Sequence, residues 1–123
     1  MAPLRVLLVE DEPMNVLLFT DVLEAAGHDV VVATDGVSGR DLALSQAFDL
    51  CIFDINLPRL RGDEAVRELR AANMTRPVVA LSSSALASEI ERGISAGFDA
   101  YLTKPIAPSA LRALVQRYAR PAA

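Results

Sequence analysis

The sequence alternates between two hydrophobic periodicities, and this alternation is the feature that most restricts its fold. Short aliphatic runs are followed, five times along the chain, by stretches whose apolar residues recur three and four positions apart. We predict strands at residues 5–9, 29–33, 49–53, 78–81 and 100–103, and helices at residues 13–26, 37–46, 63–72, 85–96 and 108–118. Because short loops join these units, the pattern predicts an α/β fold with a parallel sheet covered by helices on both faces.

The order of the strands does not follow from periodicity, because neighbours in a parallel sheet need not be neighbours in the chain. For a sheet of five such units we favour the order 2-1-3-4-5, which is the flavodoxin-like arrangement. In open sheets of this class the working site lies at the carboxyl ends of the strands, where the strand order reverses. The polar residues at those ends are therefore the candidates for function.

The composition of the chain excludes several classes of protein. Its 123 residues, 52% of them hydrophobic and 23% charged, are typical of one globular domain, which we expect to span residues 1–123. The single cysteine excludes a disulfide framework and fits a reducing compartment. A net charge of −4 disfavours direct binding of nucleic acid, which needs clustered cations.

The sequence also lacks the pattern of a targeting or membrane segment. Its longest apolar runs are far shorter than the ~20 residues of a membrane-spanning helix, so we expect no membrane insertion. The first residues lead directly into a predicted strand, which argues against a signal peptide. We therefore expect a cytoplasmic protein whose residues after position 118 fray.

The polar residues that we take as candidates follow the first, third, fourth and fifth predicted strands, all at the same edge of the sheet. They are the acidic triplet Glu10, Asp11 and Glu12, then Asp54, then Ser82, Ser83 and Ser84, and finally Lys104, which is the only lysine of the chain. Taken singly, each has an ordinary interpretation as a solvated turn, a helix cap or a surface lysine. Their shared position at the carboxyl ends of parallel strands instead predicts a single site.

Three carboxylates at one edge repel one another, and a divalent cation removes that conflict. Mg²⁺ prefers oxygen ligands and usually retains several waters. We therefore predict a Mg²⁺ site that is held by Glu10, Asp11 and Asp54 and completed by the backbone carbonyl of Asn56. We expect Mn²⁺ to substitute for Mg²⁺ there.

The chemistry that such a site supports best is phosphoryl transfer, which needs mainly positioning and cations around the transferred group. Acyl transfer is disfavoured, because no histidine base and no activated serine belong to the site. Asp54 is already ionised at neutral pH and can accept a phosphoryl group. We expect Lys104 and the hydroxyl of Ser82 to contact the oxygens of that group.

Four segments of the chain resemble the motifs of the receiver domains of two-component response regulators. They are VLLVEDE at residues 6–12, DLCIFDINLP at 49–58, VVALSS at 78–83 and AGFDAYLTKP at 96–105. The resemblance spans essentially the whole chain. The departures are mild, with Glu10 for the commoner aspartate, Ser82 for threonine, and Arg61 where an acidic or amide residue is more usual.

The resemblance implies a phosphorylation-activated switch and a role for each matching residue. It implies that Asp54 accepts a phosphoryl group from a phosphohistidine on a histidine kinase or a histidine phosphotransfer protein. It implies that Glu10 and Asp11 are Mg²⁺ ligands. It also implies that Ser82 and Lys104 contact the phosphoryl group.

The resemblance further implies how the signal leaves the site. Tyr101 is the expected aromatic switch residue, which takes up space that Ser82 vacates when it moves toward the phosphoryl group. The change would be relayed to the face formed by the fourth helix, the fifth strand and the fifth helix, where we expect a downstream protein to bind. Without the resemblance, Tyr101 reads as an amphipathic residue at the edge of the sheet.

The first helix allows two interpretations. In the family that the chain resembles, Met14 and Leu18, together with Pro105 and Ile106, would dock the phosphodonor. Helical spacing alone supports Met14 and Leu18 equally well as part of an apolar stripe that packs in the core.

Three further residues have ordinary interpretations. Cys51 lies in an apolar strand and is expected to be a small buried hydrophobe rather than a redox thiol. His28 follows the glycine that ends the first helix and is expected on the surface. Ser84 is expected to cap the fourth helix.

Our leading hypothesis is a stand-alone switch, which is not an enzyme but a phosphoacceptor that promotes its own phosphorylation and slow dephosphorylation. A second hypothesis is a receiver module excised from a hybrid histidine kinase. An aspartate-nucleophile phosphatase is a third, and Asn56 disfavours it because that family has an acidic residue two positions after its nucleophile. A flavodoxin-like cofactor carrier is the fourth, and the acidic triplet disfavours it because it would repel a flavin phosphate.

Overall fold

The computed structural model describes residues 3–118, in which five strands and five helices alternate. The strands are β1 (Arg5–Val9), β2 (Asp29–Ala33), β3 (Leu50–Asp54), β4 (Val78–Ser82) and β5 (Ala100–Thr103). The helices are α1 (Pro13–Ala25), α2 (Gly36–Ser45), α3 (Gly62–Ala71), α4 (Ala87–Ala96) and α5 (Pro108–Tyr118). The fraying expected after residue 118 lies outside the described residues.

The strands form one parallel sheet in the order β2-β1-β3-β4-β5. This order confirms the predicted flavodoxin-like α/β fold. β1 and β3 are neighbours, and the strand order reverses at β1, as expected for an open sheet with helices on both faces. The carboxyl ends of β1, β3, β4 and β5 therefore meet at one edge of the sheet.

Successive side chains of the inner strands point to opposite faces of the sheet and build two hydrophobic clusters. One cluster includes Leu7 and Val9 of β1, Phe53 of β3, and Val66 and Leu69 of α3. The other includes Val6 and Leu8 of β1, Phe19 and Leu23 of α1, and Leu111 and Leu114 of α5. Cys51 is buried in the first cluster, as expected, and burial raises the pKa of its thiol to about 12.

The buried face of α1 differs from the stripe that helical spacing suggested. The residues of α1 that are buried are Phe19 and Leu23, whereas Met14 is 69% exposed and Leu18 is 43% exposed. The interpretation of Met14 and Leu18 as core residues is therefore wrong. The helix rotates these two side chains outward because Phe19 and Leu23 fill the space between α1, the sheet and α5.

His28 is buried, which corrects the expectation of a surface residue. Its Nδ1 accepts a hydrogen bond of 2.9 Å from the backbone N–H of Leu4, just before β1. The turn between α1 and β2 directs the ring toward this donor, which the sheet leaves without a backbone partner. Burial lowers the pKa of His28, and the nearby carboxylate of Asp29 opposes this effect in part.

The strand and helix ends near the predicted site also differ slightly from expectation. β3 extends to Asp54 and β4 extends to Ser82, so both polar residues end their strands. α4 begins at Ala87, two residues later than predicted, and Ser84 does not cap it. The hydroxyl of Ser84 instead accepts a hydrogen bond of 3.4 Å from the backbone N–H of Leu86, in the loop before the helix.

Candidate functional site

The register of the sheet brings the predicted site residues to one level. Val9 pairs with Phe53 across β1 and β3, so Glu10 lies beside Asp54, one residue further along each strand. On the next two strands, Ser82 pairs with Thr103, which directly precedes Lys104. The backbone N–H of Lys104 donates a hydrogen bond of 2.7 Å to the carbonyl of Ser82.

Three carboxylates meet at this edge, as the sequence predicts. Glu10, Asp11 and Asp54 each offer a carboxylate oxygen, and these oxygens lie within 4.8 Å of one another. Glu10 is fully buried and Asp54 is buried, whereas Asp11 is exposed. Three hard oxygen donors, one of them open to solvent, fit a cation such as Mg²⁺ that retains several waters.

Lys104 connects two of these carboxylates. Its Nζ donates hydrogen bonds of 2.7 Å to Oε1 of Glu10 and 2.5 Å to Oδ2 of Asp54. Burial by itself lowers the pKa of Lys104, but the hydrogen bonds to Asp54 and Glu10 outweigh it and raise the pKa. The interpretation of Lys104 as a free surface lysine is therefore wrong. Its side chain is only 20% exposed, and its raised pKa keeps it charged.

Glu10 is fully buried, and several polar groups surround its carboxylate. Burial raises the pKa of its carboxyl, the hydrogen bond from Lys104 opposes this effect, and the nearby charge of Asp54 adds to it. The carboxylate also accepts hydrogen bonds of 3.1 Å from the backbone N–H of Glu12 and 3.3 Å from the amide of Asn15. Glu10 is thus a buried acid that the protein surrounds with donors.

The other two members of the acidic triplet behave differently from each other. Glu12 is the N-cap of α1, and its carboxylate accepts a hydrogen bond of 2.9 Å from the backbone N–H of Asn15. Within residues 3–118, no side-chain hydrogen bond or ion pair involves Asp11. Glu12 therefore has the ordinary role of a helix cap, whereas Asp11 leaves its oxygens available to a ligand.

The loop after β3 closes tightly on Asp54. The backbone N–H of Asn56 donates a hydrogen bond of 3.0 Å to Oδ1 of Asp54. Gly62, at the start of α3, packs so closely that an added Cβ would lie 2.1 Å from the carbonyl oxygen of Asp54. Its N–H donates to the carbonyl of Ile55 at 2.9 Å. Only glycine fits here, which fixes the distance between this loop and the carboxylate.

Ser82 and Tyr101 are linked through Ser84. The Oγ of Ser82 accepts a hydrogen bond of 3.1 Å from the backbone N–H of Ser84, and the hydroxyl of Tyr101 donates one of 3.1 Å to the carbonyl of Ser84. The Tyr101 ring packs on α4, where an added Cβ at Gly93 would meet it at 3.2 Å. One peptide segment therefore contacts the buried serine, the aromatic ring and the start of α4.

The residues expected to dock a phosphodonor are only partly on the surface. Met14, Leu18 and Pro105 are exposed beside the site. Ile106 is 9% exposed and packs in the second core cluster, so it does not belong to an exposed docking surface. After Pro105 the chain turns inward toward α5, and this turn buries the isoleucine side chain.

The structure adds an apolar groove beside the site that sequence reasoning missed. It has a volume of about 420 Å³ and is lined by Asp11, Pro13, Val16, Leu17, Thr20, Val32 and Thr34. Leu17 directly precedes the expected docking residue Leu18, but helical spacing alone gives no reason to predict that Leu17 lines a groove. Val32 lies on β2, which is an edge strand, so its exposure follows from the strand order.

Comparison with known proteins identifies the family of this fold and site. The sequence profile described as response regulator receiver domain matches residues 6–116. The chain belongs to this family. Receiver domains are phosphoacceptor switches of two-component signal transduction, so the family match does not favour the phosphatase alternative.

Relatives of the chain include both long and short proteins. It is 38% identical over 109 residues to the sensor protein EvgS of Escherichia coli K12, covering 89% of this chain but 9% of that protein. It is 36% identical over 106 residues to the polar-differentiation response regulator DivK of Brucella anthropi, covering 85% and 86% of the two chains. The chain thus spans about a tenth of the length of the sensor kinases that it matches.

Solved structures of receiver domains superpose closely on this one. The receiver domain of the sensor histidine kinase PA1611 from Pseudomonas aeruginosa PAO1 has a TM-score of 0.87 and 34% identity, covering 95% of this chain and 98% of that one. It was solved with a magnesium ion coordinated in the active-site cleft. The chemotaxis response regulator CheY4 of Vibrio cholerae has a TM-score of 0.90 and 28% identity, covering 96% and 100%.

No helix within residues 3–118 is both long enough and sufficiently apolar to span a membrane.

Proposed function

We propose that the chain is one receiver domain, spanning residues 1–123, that accepts a phosphoryl group on Asp54 from a phosphohistidine donor. The observation that carries this proposal is the position of Lys104, whose ammonium group bonds both Asp54 and the buried Glu10. A cation held against a carboxylate is the arrangement that phosphoryl transfer requires, because negative charge accumulates on the transferred oxygens. Membership of the family supports the same conclusion.

Glu10, Asp11 and Asp54, with the backbone carbonyl of Asn56, would hold Mg²⁺, which neutralises one oxygen of the phosphoryl group when bound. The magnesium ion in the related PA1611 domain supports this assignment, and we expect Mn²⁺ to substitute. The exposed carboxylate of Asp11 would give the cation its route from solvent. Glu10 would gain from the cation, because its fully buried charge has no counterion besides Lys104 within residues 3–118.

In the transfer itself, an oxygen of Asp54 forms the bond to phosphorus while the bond from phosphorus to the donor histidine nitrogen breaks. The electron pair of that bond returns to the imidazole. Lys104 stays beside the acquired group and shifts its hydrogen bond from the carboxylate to a phosphoryl oxygen. The Oγ of Ser82 accepts from Ser84, so its own proton is available for a further phosphoryl oxygen.

The same contacts supply a path for the signal. A phosphoryl group adds ~1.5 to 2 negative charges and draws the Ser82 hydroxyl inward. Ser84 would follow, since its N–H is bound to Ser82 and its carbonyl to Tyr101. Tyr101 and α4 would then repack, and the face formed by α4, β5 and α5 would change its affinity for a downstream protein.

The partners that we propose follow from the relatives and from the exposed surface. Sensor kinases among the relatives carry a domain like this one, which supports a histidine kinase or a phosphotransfer protein as the donor. Met14, Leu18 and Pro105 border the site and would contact it. We place this exchange in the cytoplasm, and we assign the chain slow dephosphorylation of its own Asp54 rather than turnover of an external substrate.

The direct test incubates the protein with acetyl phosphate and Mg²⁺ and records its intact mass. We expect one phosphoryl group per chain, labile to hydroxylamine, and none in Asp54→Asn. Asp49→Asn is the matched control, because it removes the same charge just before the opposite end of β3 and leaves the site unchanged.

Two results would contradict the proposal. One is an unmodified wild-type mass under these conditions, and the other is equal modification of Asp54→Asn. Rapid release of many phosphates per chain would instead indicate a phosphatase.

A further inference from the structure

Arg61 lies in the loop that follows Asp54, directly before α3. It immediately precedes Gly62, whose backbone packs on the carbonyl of Asp54. It occupies the N-cap position of α3 but makes no side-chain capping bond there. Its guanidinium is therefore not used to start the helix and is available for other contacts.

That guanidinium bridges two residues of the loop. Its Nε donates a hydrogen bond of 3.1 Å to Oδ1 of Asp63, and its Nη1 lies 3.4 Å from the side-chain Oδ1 of Asn56. Asp63 is buried at the start of α3, so its hydrogen bond fixes the position of one edge of the Arg61 guanidinium. The Nη1 group of the guanidinium then holds the oxygen of the Asn56 amide, while the rest of the Arg61 side chain is partly open to solvent at 48% exposure.

Asn56 is well placed to affect a phosphoryl group on Asp54. Its backbone N–H is bound to Oδ1 of Asp54, and its side chain is exposed at the opening of the site. A side-chain amide oxygen in such a position can accept a hydrogen bond from water and orient that water toward phosphorus, as glutamine does in some nucleotide hydrolases. In this structure that oxygen already accepts from Arg61.

We propose that Arg61 is a positioning residue that prolongs the phosphorylated state by engaging the side-chain oxygen of Asn56. The inference rests on the proposed function. In hydrolysis, the oxygen of water bonds to phosphorus, the bond between phosphorus and Asp54 breaks, and its electron pair restores the carboxylate. The protons of the water pass to inorganic phosphate and to solvent. Arg61 withholds the acceptor that would orient this water.

The experiment loads the protein with acetyl phosphate and Mg²⁺, removes the donor, and follows loss of the phosphoryl group by intact mass. Arg61→Ala frees the Asn56 oxygen, and we expect dephosphorylation about two- to tenfold faster, the effect of one hydrogen bond on a rate. Arg59→Ala is the matched control. It removes an arginine of the same loop whose ion pair is with Asp35, and the decay rate should stay unchanged.

A second pair of variants separates positioning from a general effect on charge or folding. In an Asn56→Ala background, replacement of Arg61 should not accelerate decay further, since the oxygen that it engages is gone. Equal acceleration in both backgrounds would overturn the inference. So would a decay rate in Arg61→Ala that equals or falls below that of the wild type.

The outcome also distinguishes this inference from the proposed function. If the wild type acquires no phosphoryl group, the proposed function fails and the role of Arg61 fails with it. If the wild type is loaded at Asp54 but Arg61→Ala decays at the same rate, only the inference fails.

Discussion

The two ends of the sheet use charged and polar side chains in opposite ways. At the carboxyl end, Lys104 joins the buried carboxylates of Glu10 and Asp54, which also accept hydrogen bonds from nearby backbone N–H groups, and Asp11 has no side-chain partner within the described part of the chain. At the amino end, the polar side chains bond to the backbone where the strands begin. There, the backbone N–H of Leu4 donates a hydrogen bond to His28. In the same way, the N–H of Arg5 donates to Asp49, and the N–H of Val78 donates to Asp99.

This difference separates a part of the molecule that is organised for stability from one that is organised for a ligand. Backbone N–H groups at the amino end have fixed positions and are neutral, so their partners are satisfied without any ligand. The acids at the carboxyl end share one ammonium group and keep an excess of negative charge. That excess destabilises the isolated fold and creates the affinity for a cation.

The largest effect on stability should come from the amino end. Arg70 donates to the carbonyls of Met74, Arg76 and Gly97 and pairs with Asp99 at 2.9 Å. Arg70→Ala removes all of these bonds, and we expect a loss of about 2 to 3 kcal/mol in the free energy of unfolding. Denaturant titration measures it. Phosphorylation at 25 °C should be unchanged, and impaired phosphorylation of the folded variant would break the separation between the two ends.

A substitution at the carboxyl end should have the opposite sign. Glu10→Gln removes a buried charge whose pKa is raised by burial, while the amide can still accept from Lys104 and Glu12. Without divalent cations, we expect the free energy of unfolding to rise by about 1 to 2 kcal/mol. Denaturant titration in a chelating buffer measures it. A loss of stability would mean that the ion pair with Lys104 outweighs the burial of the carboxylate.

The smallest effect concerns pH and again distinguishes the two ends. His28 has a pKa below its unfolded value of 6.5, because burial disfavours the charged ring. Its stabilising contribution is therefore complete above pH 6.5 and is lost as the pH falls through the folded-state pKa, since protonated Nδ1 cannot accept from Leu4.

The variant His28→Asn isolates this contribution. The Oδ1 of asparagine can replace Nδ1 as the acceptor for Leu4 and does not titrate. We expect the wild type to lose up to about 1 kcal/mol relative to the variant below pH 6.5, the value of one hydrogen bond. Thermal unfolding of both proteins across this range checks the prediction, and parallel pH profiles would contradict it.

The sequence predicted the elements and the edge of the sheet where the polar residues meet, because both depend on short-range patterns. The position of Asp54 or Lys104 follows from counting residues to the end of an apolar strand. The roles assigned to them remain predictions, which the experiment on Asp54 addresses.

Features that depend on long-range contacts were missed. The buried side chain of His28 accepts a hydrogen bond from Leu4, which lies 24 residues earlier in the chain, and no local sequence pattern predicts that contact. The outward rotation of Met14 likewise depends on how α1 packs against α5. Arg61 was recognised as unusual in sequence, but its bridge between Asp63 and Asn56 needed coordinates.

The central claim is that the carboxylates at the carboxyl end of the sheet need a divalent cation to balance their excess negative charge. The most direct test measures the free energy of unfolding against Mg²⁺ concentration at constant ionic strength, in the wild type and in Asp11→Asn. The side chain of Asp11 makes no bond within residues 3–118, so this substitution should leave the fold unchanged. We predict that the wild type gains about 1.4 kcal/mol per tenfold increase in Mg²⁺ above its dissociation constant, whereas Asp11→Asn gains far less. The same gain in both proteins would contradict the claim.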